Sequence, residues 1–147
     1  MMPVRLRAWI AVAAAVVLTV CAESASAADE RWTDTRQVGP FIFHATFSLA
    51  PYERLFAELP ELQRELTRTL GVPPAKNPIY VYLFSDEEQY RAYKNRHFPR
   101  VPLRPALFIL EGGSPGVYTY RKPDLEIDVR HECTHALLHS SLPVVPL

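Results

Sequence analysis

The stretch "RHECTHALLH", residues 130–139, constrains what this chain can fold into, because it carries the pattern H-E-x-x-H. His131 and His135 are four residues apart, so on an α-helix they project from the same face, one turn apart. Pro143 suits the end of such a helix. The sequence therefore predicts a helix over residues 124–140 with both imidazoles on one side.

The rest of this predicted helix is apolar except along one narrow stripe. A helix that is apolar elsewhere and keeps histidines and a glutamate together is not an ordinary solvated helix. The apolar back consists of Leu125, Val129, Ala136 and Leu137, and the apolar flank consists of Ile127 and Leu138. The polar stripe consists of Asp128, His131, His135 and His139.

Two imidazole nitrogens one helical turn apart can bind one metal ion, so His131 and His135 are predicted zinc ligands. Glu132 lies at the flank of their face, where it can reach a water on the metal but cannot easily become a further ligand. Zinc lowers the pKa of such a water to about 7 in favourable sites, and Glu132 would accept its proton as the general base. The resulting hydroxide would attack a polarised carbonyl, which predicts amide hydrolysis.

A catalytic zinc site has three protein ligands and an open position, so a third ligand must be sought. His139 lies about 12 Å from His131 along a straight helix and cannot converge on the same ion. Ser141 stands where H-E-x-x-H-x-x-G-x-x-H needs its last histidine, and no Asp or Glu follows His135. The sequence therefore predicts that no residue within 28–147 completes the site.

Three neighbours of the motif have other predicted roles. Asp128 could accept a hydrogen bond from a ligand imidazole; alternatively, it is an acid favoured at a helix start by the helix dipole. His139 is predicted to support the site from outside the ligand set or to lie on the surface. Cys133 points about 200° away from His131 at the helical period, so it is predicted to be a small core residue.

Several stretches upstream of the motif have the composition of strands. "RQVGPFIFHATF" predicts a short hairpin or edge strand at Gly39-Pro40, with His44 facing solvent or a neighbour. "NPIYVYLF", residues 77–84, is the densest strand signal, and "ALFIL" and "GVYTY" predict strands around a Gly-Gly-Ser-Pro-Gly turn. Together with the helices, these strands predict an α+β fold.

Two further helices are predicted before the motif. Leucines at positions 55, 59, 62, 66 and 70 step by three or four residues, which predicts one apolar stripe on a helix that ends at Gly71. Pro60 predicts a kink in that helix or a division into two helices. Ser85 and Glu88, three residues apart, predict a capping box at the start of the next helix.

Residues 1–27 have the three-part build of a secretory signal peptide: two arginines, the apolar run "AWIAVAAAVVLTVC", and the small-residue pattern "ASA" ending at residue 27. The apolar run is short for a membrane span. Cleavage after Ala27 predicts an exported protein, located in the periplasm, in the cell envelope or outside the cell, with no stable membrane span. The alternative is an N-terminal anchor that is retained.

Residues 28–147 are predicted to form one incomplete domain. The chain of 147 residues has 16 basic and 16 acidic side chains and a net charge of zero. No run of charges stands out, so a nucleic-acid partner has no electrostatic support. A peptide or protein substrate is predicted instead, and the sequence leaves the oligomeric state open.

The segment "DLEIDVRHECTHALLHSSLPVVPL" resembles the active helix of bacterial secreted gluzincin-like zinc peptidases, the peptidase MA-like group. In that group the motif is commonly followed by "L-P-x-x-L-x-E-G-x-A-E" on a second helix, and a glutamate of that helix is the third zinc ligand. The terminal "LPVVPL" resembles the lead-in to this segment. The likeness covers residues 77–147 and is specific at His131, Glu132 and His135.

The resemblance implies a zincin-like N-terminal lobe, truncated after the active helix. In such a lobe the edge strand of a small mixed sheet lies above the active helix and can hold an extended peptide by strand addition. "GVYTY" is the strand predicted to take this position. The leading hypothesis is a fragment of an exported zinc-dependent peptidase, inactive as it stands. The alternatives are an exported, non-catalytic binding domain with a relic motif and a membrane-anchored interaction protein.

Overall fold

The computed structural model describes residues 32–141, which form a five-stranded mixed sheet packed with three α-helices. This architecture confirms the predicted α+β class. The predicted signal peptide and the "LPVVPL" segment lie outside the described residues. The strands are β1 (Asp34–Val38), β2 (Phe41–Ala45), β3 (Ile79–Phe84), β4 (Ala106–Glu111) and β5 (Ser114–Tyr120), and the helices are α1 (Glu53–Leu70), α2 (Glu87–His97) and α3 (Leu125–Ser141).

The sheet has the order β1-β2-β3-β5-β4. The three central strands run parallel, and the outer strands β1 and β4 are antiparallel to their neighbours. Both parallel connections pass through a helix, as parallel strands require. Between residues 32 and 141, no helix is both long enough and apolar enough to span a membrane.

Alternate side chains of the strands enter two separate cores, one on each face of the sheet. The first core packs the sheet against α1 and α3 and includes Phe43, Val81 and Val117. The second lies on the α2 side and is mostly aromatic, with Phe84, Tyr90, Phe98 and Tyr118 among its buried rings. On the first face the residues of β2 and β3 are buried, whereas most of those on the second face are partly exposed.

The hairpin between β4 and β5 overturns the predicted position of "GVYTY". That segment belongs to β5, which lies between β3 and β4, so the prediction that it forms the edge strand is wrong. Gly112 and Gly113, both with positive φ, close a two-residue turn between Glu111 and Ser114. This tight turn returns β5 to the inside of the sheet and leaves β4 at the edge.

Helix α1 runs unbroken through Pro60, so the alternative of two helices is wrong. Leu55 and Leu59 before the proline are buried, and Leu62 after it packs against the same core, so tertiary packing holds both halves on one axis. Leu70, predicted to end the core stripe, is 57% exposed. Gly71 ends the helix in the left-handed conformation, as predicted.

Helix α2 begins one residue later than the sequence predicts. Asp86 is its N-cap, and the carboxylate of Asp86 accepts a hydrogen bond of 2.9 Å from the backbone N–H of Gln89. The prediction of Ser85 as the cap is therefore wrong. The hydroxyl of Ser85 instead donates to the Asp86 carboxylate, which is the stronger acceptor for the helix N-terminus.

The close approach at Gly116 in β5 gives a test of the second core. A Cβ on Gly116 would lie 2.7 Å from the hydroxyl oxygen of Tyr118, whose ring stacks on Tyr82 at 4.9 Å and meets Phe98 at 5.1 Å. Because the ring cannot withdraw, we expect Gly116→Ala to lower the free energy of unfolding by about 1–3 kcal/mol in urea titrations. Ser114→Ala, exposed on the same strand, is the control, and equal stability of the two variants would contradict this packing.

Candidate metal centre

Helix α3 is oriented by its apolar back, which faces the sheet and α1. The predicted core positions are buried, and so is Cys133, as predicted for a small core residue. Ile127, on the flank, is 60% exposed. Because residues at the helical period alternate between core and solvent, this orientation turns the histidine face outward. The buried side chains of α3 are Leu125, Val129, Cys133, Ala136, Leu137 and Ser141.

The two histidines of the motif meet on the exposed face of α3. His131 and His135 are both exposed, and their Nε2 atoms lie 3.1 Å apart. The ring centroids are 4.7 Å apart with the planes at 78°, so the rings converge edge to face instead of stacking. The Nε2 atoms of both rings therefore lie at the same point on the surface, within hydrogen-bond distance of each other.

This separation fits a shared metal ion. Two nitrogens that bind one tetrahedral zinc at about 2.0–2.1 Å lie about 3.3 Å apart, close to the observed 3.1 Å. Within residues 32–141, no third His, Cys, Asp or Glu side chain joins the pair in a group that could hold a metal ion. The described residues thus supply two imidazole nitrogens at a spacing that one zinc ion could bridge.

Glu132 opens on the same cavity as the two histidines. This surface cavity has a volume of about 450 Å³, and Glu132 is half-buried at its wall. A carboxylate beside two imidazoles can accept a proton from a water or a substrate held between them. The other lining residues are Val101, Pro102, Arg104, Ala106, Leu107 and Phe108.

The two flanking residues of the polar stripe have contacts of their own. The carboxylate of Asp128 forms an ion pair with the ammonium group of Lys122, just before the helix. The ring of His139 packs against Phe108 of β4, with ring centroids 5.7 Å apart. Support of a metal ligand by Asp128 or His139 stays a prediction.

An ion-pair cluster next to the motif ties α3 to α1. Arg130 donates to the carboxylate of Glu58 at 2.6 Å, and Arg54 donates to the same carboxylate at 2.9 Å. The hydrogen bond from Arg54 and the charge of Arg130 hold the pKa of Glu58 below its usual value. Because Arg130 precedes His131, this cluster also helps to fix the rotation of α3 about its axis.

The wall opposite α3 is an irregular segment, residues 98–105, that leads into β4. The hydroxyl of the buried Tyr90 donates a hydrogen bond of 2.7 Å to the backbone carbonyl of Arg104. The hydroxyl of Thr119 donates a hydrogen bond of 2.9 Å to the backbone carbonyl of Pro105. Burial, and then the negative charges of Tyr120, Glu132 and Asp128, raise the pKa of Tyr90, so its hydroxyl stays a donor.

The motif alone does not predict the contribution of this segment to the cavity. Its sequence, "FPRVPLRP", has three prolines within eight residues, which is typical of an extended segment without regular secondary structure. The three prolines could have identified residues 98–105 as a loop of fixed shape. They could not have shown that this loop lies beside α3, because that contact depends on the order of the strands in the sheet.

Comparison with known proteins adds no relative to this picture. No protein-family model matches the chain, and no curated protein matches it.

The burial of Cys133 gives a direct test of the orientation of α3. Burial, and then the negative charge of Glu132, raise the pKa of its thiol, and the thiolate is the form that reacts with alkylating reagents. We expect iodoacetamide at neutral pH to leave Cys133 unmodified in the folded protein and to modify it in urea, as measured by peptide mass spectrometry. An Ile127→Cys variant, exposed on the same helix, should react while folded. Equal labelling of both thiols would contradict this orientation.

Proposed function

We propose that residues 32–141 form the zinc-binding half of an exported, gluzincin-like metallopeptidase that hydrolyses peptide bonds. The observation that carries the proposal is the 3.1 Å separation of the His131 and His135 Nε2 atoms, at the wall of a cavity shared with Glu132. The signal-peptide pattern of residues 1–27 supports export. The third zinc ligand, in this proposal, comes from outside residues 32–141.

The residues that would hold zinc are His131 and His135, each through Nε2. A zinc ion bound there supplies a Lewis acid that polarises a carbonyl oxygen and lowers the pKa of a water. The two rings are exposed on a helix whose back is buried, so the protein fixes their direction while leaving the cavity side open. Such rigid support of ligands favours a single coordination geometry.

Glu132 is the proton carrier of the proposed reaction. Its carboxylate oxygen accepts a proton from the attacking water as the water oxygen bonds to the carbonyl carbon of the peptide. The same carboxyl group then gives that proton to the leaving nitrogen as the carbon–nitrogen bond breaks. Glu132 neighbours His131 in sequence and lines the same cavity, which supports this role.

Strand β4 offers a binding surface for an extended substrate. It is an edge strand, and Ala106, Leu107 and Phe108 line the cavity together with the histidines. A peptide that adds to the open side of β4 would gain backbone hydrogen bonds and cross the cavity beside Glu132. This arrangement supports a peptide or protein substrate.

The first test of the proposal is metal affinity. We expect the chain to bind one zinc ion weakly, and His131→Ala or His135→Ala to lower the affinity by at least about tenfold, because each removes a direct bond to the metal. His97→Ala is the matched control, because His97 is an exposed histidine of α2 that does not line the cavity. Competition with a chromophoric chelator measures the affinity. An equal loss in the control would contradict the assigned ligands.

The second test is catalysis. We expect negligible peptide hydrolysis from residues 28–147 alone, since two imidazoles do not hold water and carbonyl in one fixed geometry. A longer form that carries a glutamate helix after residue 147 should bind zinc tightly and cleave a quenched fluorescent casein. Glu132→Gln should lower that cleavage by at least about 100-fold with zinc content unchanged.

The outcome that separates the rival hypotheses concerns the shorter form. Turnover by residues 28–147 that needs both zinc and Glu132 would show that the site is completed within them. If the extended form binds zinc but cleaves nothing, the non-catalytic binding domain is favoured instead.

A further inference from the structure

The cavity beside the histidines carries a cationic side chain that the proposed hydrolysis does not use. Arg104 lines it together with His131, Glu132 and His135, and the other lining side chains are apolar. Arg104 is exposed, so its charge is held without the cost of desolvation. An arginine in a cavity whose lining is apolar outside the motif favours a ligand with an anionic group.

The backbone at Arg104 is fixed, which gives the side chain a defined origin. Tyr90, 1% exposed, donates a hydrogen bond of 2.7 Å to the carbonyl of Arg104, and Thr119, fully buried, donates one of 2.9 Å to the next carbonyl. Both donors belong to the packed body of the protein, on α2 and β5. The backbone of Arg104 therefore belongs to a rigid part of the cavity wall.

The guanidinium group of Arg104 forms no ion pair with a carboxylate of residues 32–141, whereas several other arginines there do. Glu87, which lines a smaller cavity on the other side of Arg104, is paired with Arg91 at 2.6 Å. Arginine presents its donors in a planar fork that matches a carboxylate with two hydrogen bonds. The group is thus available for a carboxylate of a ligand.

The direction of β4 decides which part of a bound peptide would meet Arg104. Arg104 comes two residues before Ala106, the first residue of β4, and Phe108 lies further along, beside His139. Antiparallel pairing is slightly more stable per residue than parallel pairing. A peptide antiparallel to β4 would have its C-terminal part beside the start of the strand, next to Arg104.

We infer that Arg104 selects peptides that carry a carboxylate on the C-terminal side of the cleaved bond. The carboxylate belongs either to an acidic side chain or to a free C-terminus, since the guanidinium binds both in the same way. This inference rests on the proposed function, because it assigns the substrate class of the same site.

The experiment measures peptide binding to the zinc-loaded Glu132→Gln protein by fluorescence anisotropy, so cleavage does not interfere. The labelled peptides share an alanine-rich sequence and differ in one feature each. The first has an aspartate near an amidated C-terminus, the second a neutral sequence with a free C-terminus, the third an aspartate near the N-terminus, and the fourth a neutral amidated sequence. We expect the first or second to bind about 5- to 20-fold more tightly than the fourth.

Variants of Arg104 test whether this residue causes the preference. Arg104→Ala should remove the 5- to 20-fold advantage, so that the four peptides bind with equal affinity. Arg104→Glu should reverse the preference toward a peptide with lysine in place of aspartate. Arg100→Ala is the matched control, because Arg100 is exposed in the same segment but does not line the cavity.

Each result decides for or against the inference. Equal affinity for all peptides, no measurable binding of any, a preference for the N-terminal aspartate, or a preference that survives Arg104→Ala would overturn it. Zinc-dependent cleavage without a carboxylate preference would overturn the inference and leave the proposed function standing. A preference that depends on Arg104, in a protein that cleaves nothing when extended, would reject the peptidase and, with it, the inferred position relative to a cleaved bond.

Discussion

The burial of the back of α3 between the sheet and α1 is the interaction on which the site depends. Leu125, Val129 and Leu137 are buried there, and each large apolar side chain removed from water contributes about 1.5–3 kcal/mol. A rotation of the helix by one residue would expose part of this surface and bury imidazole groups without partners, which is costly. The apolar back therefore determines that His131 and His135 face the cavity.

The second constraint is the order of the sheet, which determines what stands opposite α3. The two-residue turn at Gly112 and Gly113 makes β4 and β5 a tight hairpin, and the parallel pairing of β3 with β5 leaves β4 outermost. As a result, β4 and the segment before it border the histidine face. Had β4 paired with β3, the cavity would have had a different wall.

Hydrogen bonds and ion pairs from neighbouring elements then hold the parts of the site that helices and strands alone do not position. The Arg130–Glu58 pair links α3 to α1, and hydroxyl groups of Tyr90 and Thr119 hold the proline-rich segment by its carbonyls. Two of these three contacts are to backbone carbonyls of an irregular segment, which otherwise lack partners. The cavity is therefore bounded by one helix with a buried back and one segment held from behind.

The amino-acid sequence by itself determined the local features of this protein. The spacing of His131 and His135 needs only the helical period, and the burial of Cys133 follows from its angle on the helix. The hairpin at Gly39-Pro40 and the end of α1 at Gly71 follow from local turn chemistry.

Tertiary structure decided the features that depend on contacts between distant segments. It kept α1 whole through Pro60, because both halves pack on one core, and it placed β4 at the edge with Arg104 beside the histidines. Those outcomes lay beyond the sequence pattern, because a strand's composition indicates that it is buried but not which strand will be its neighbour.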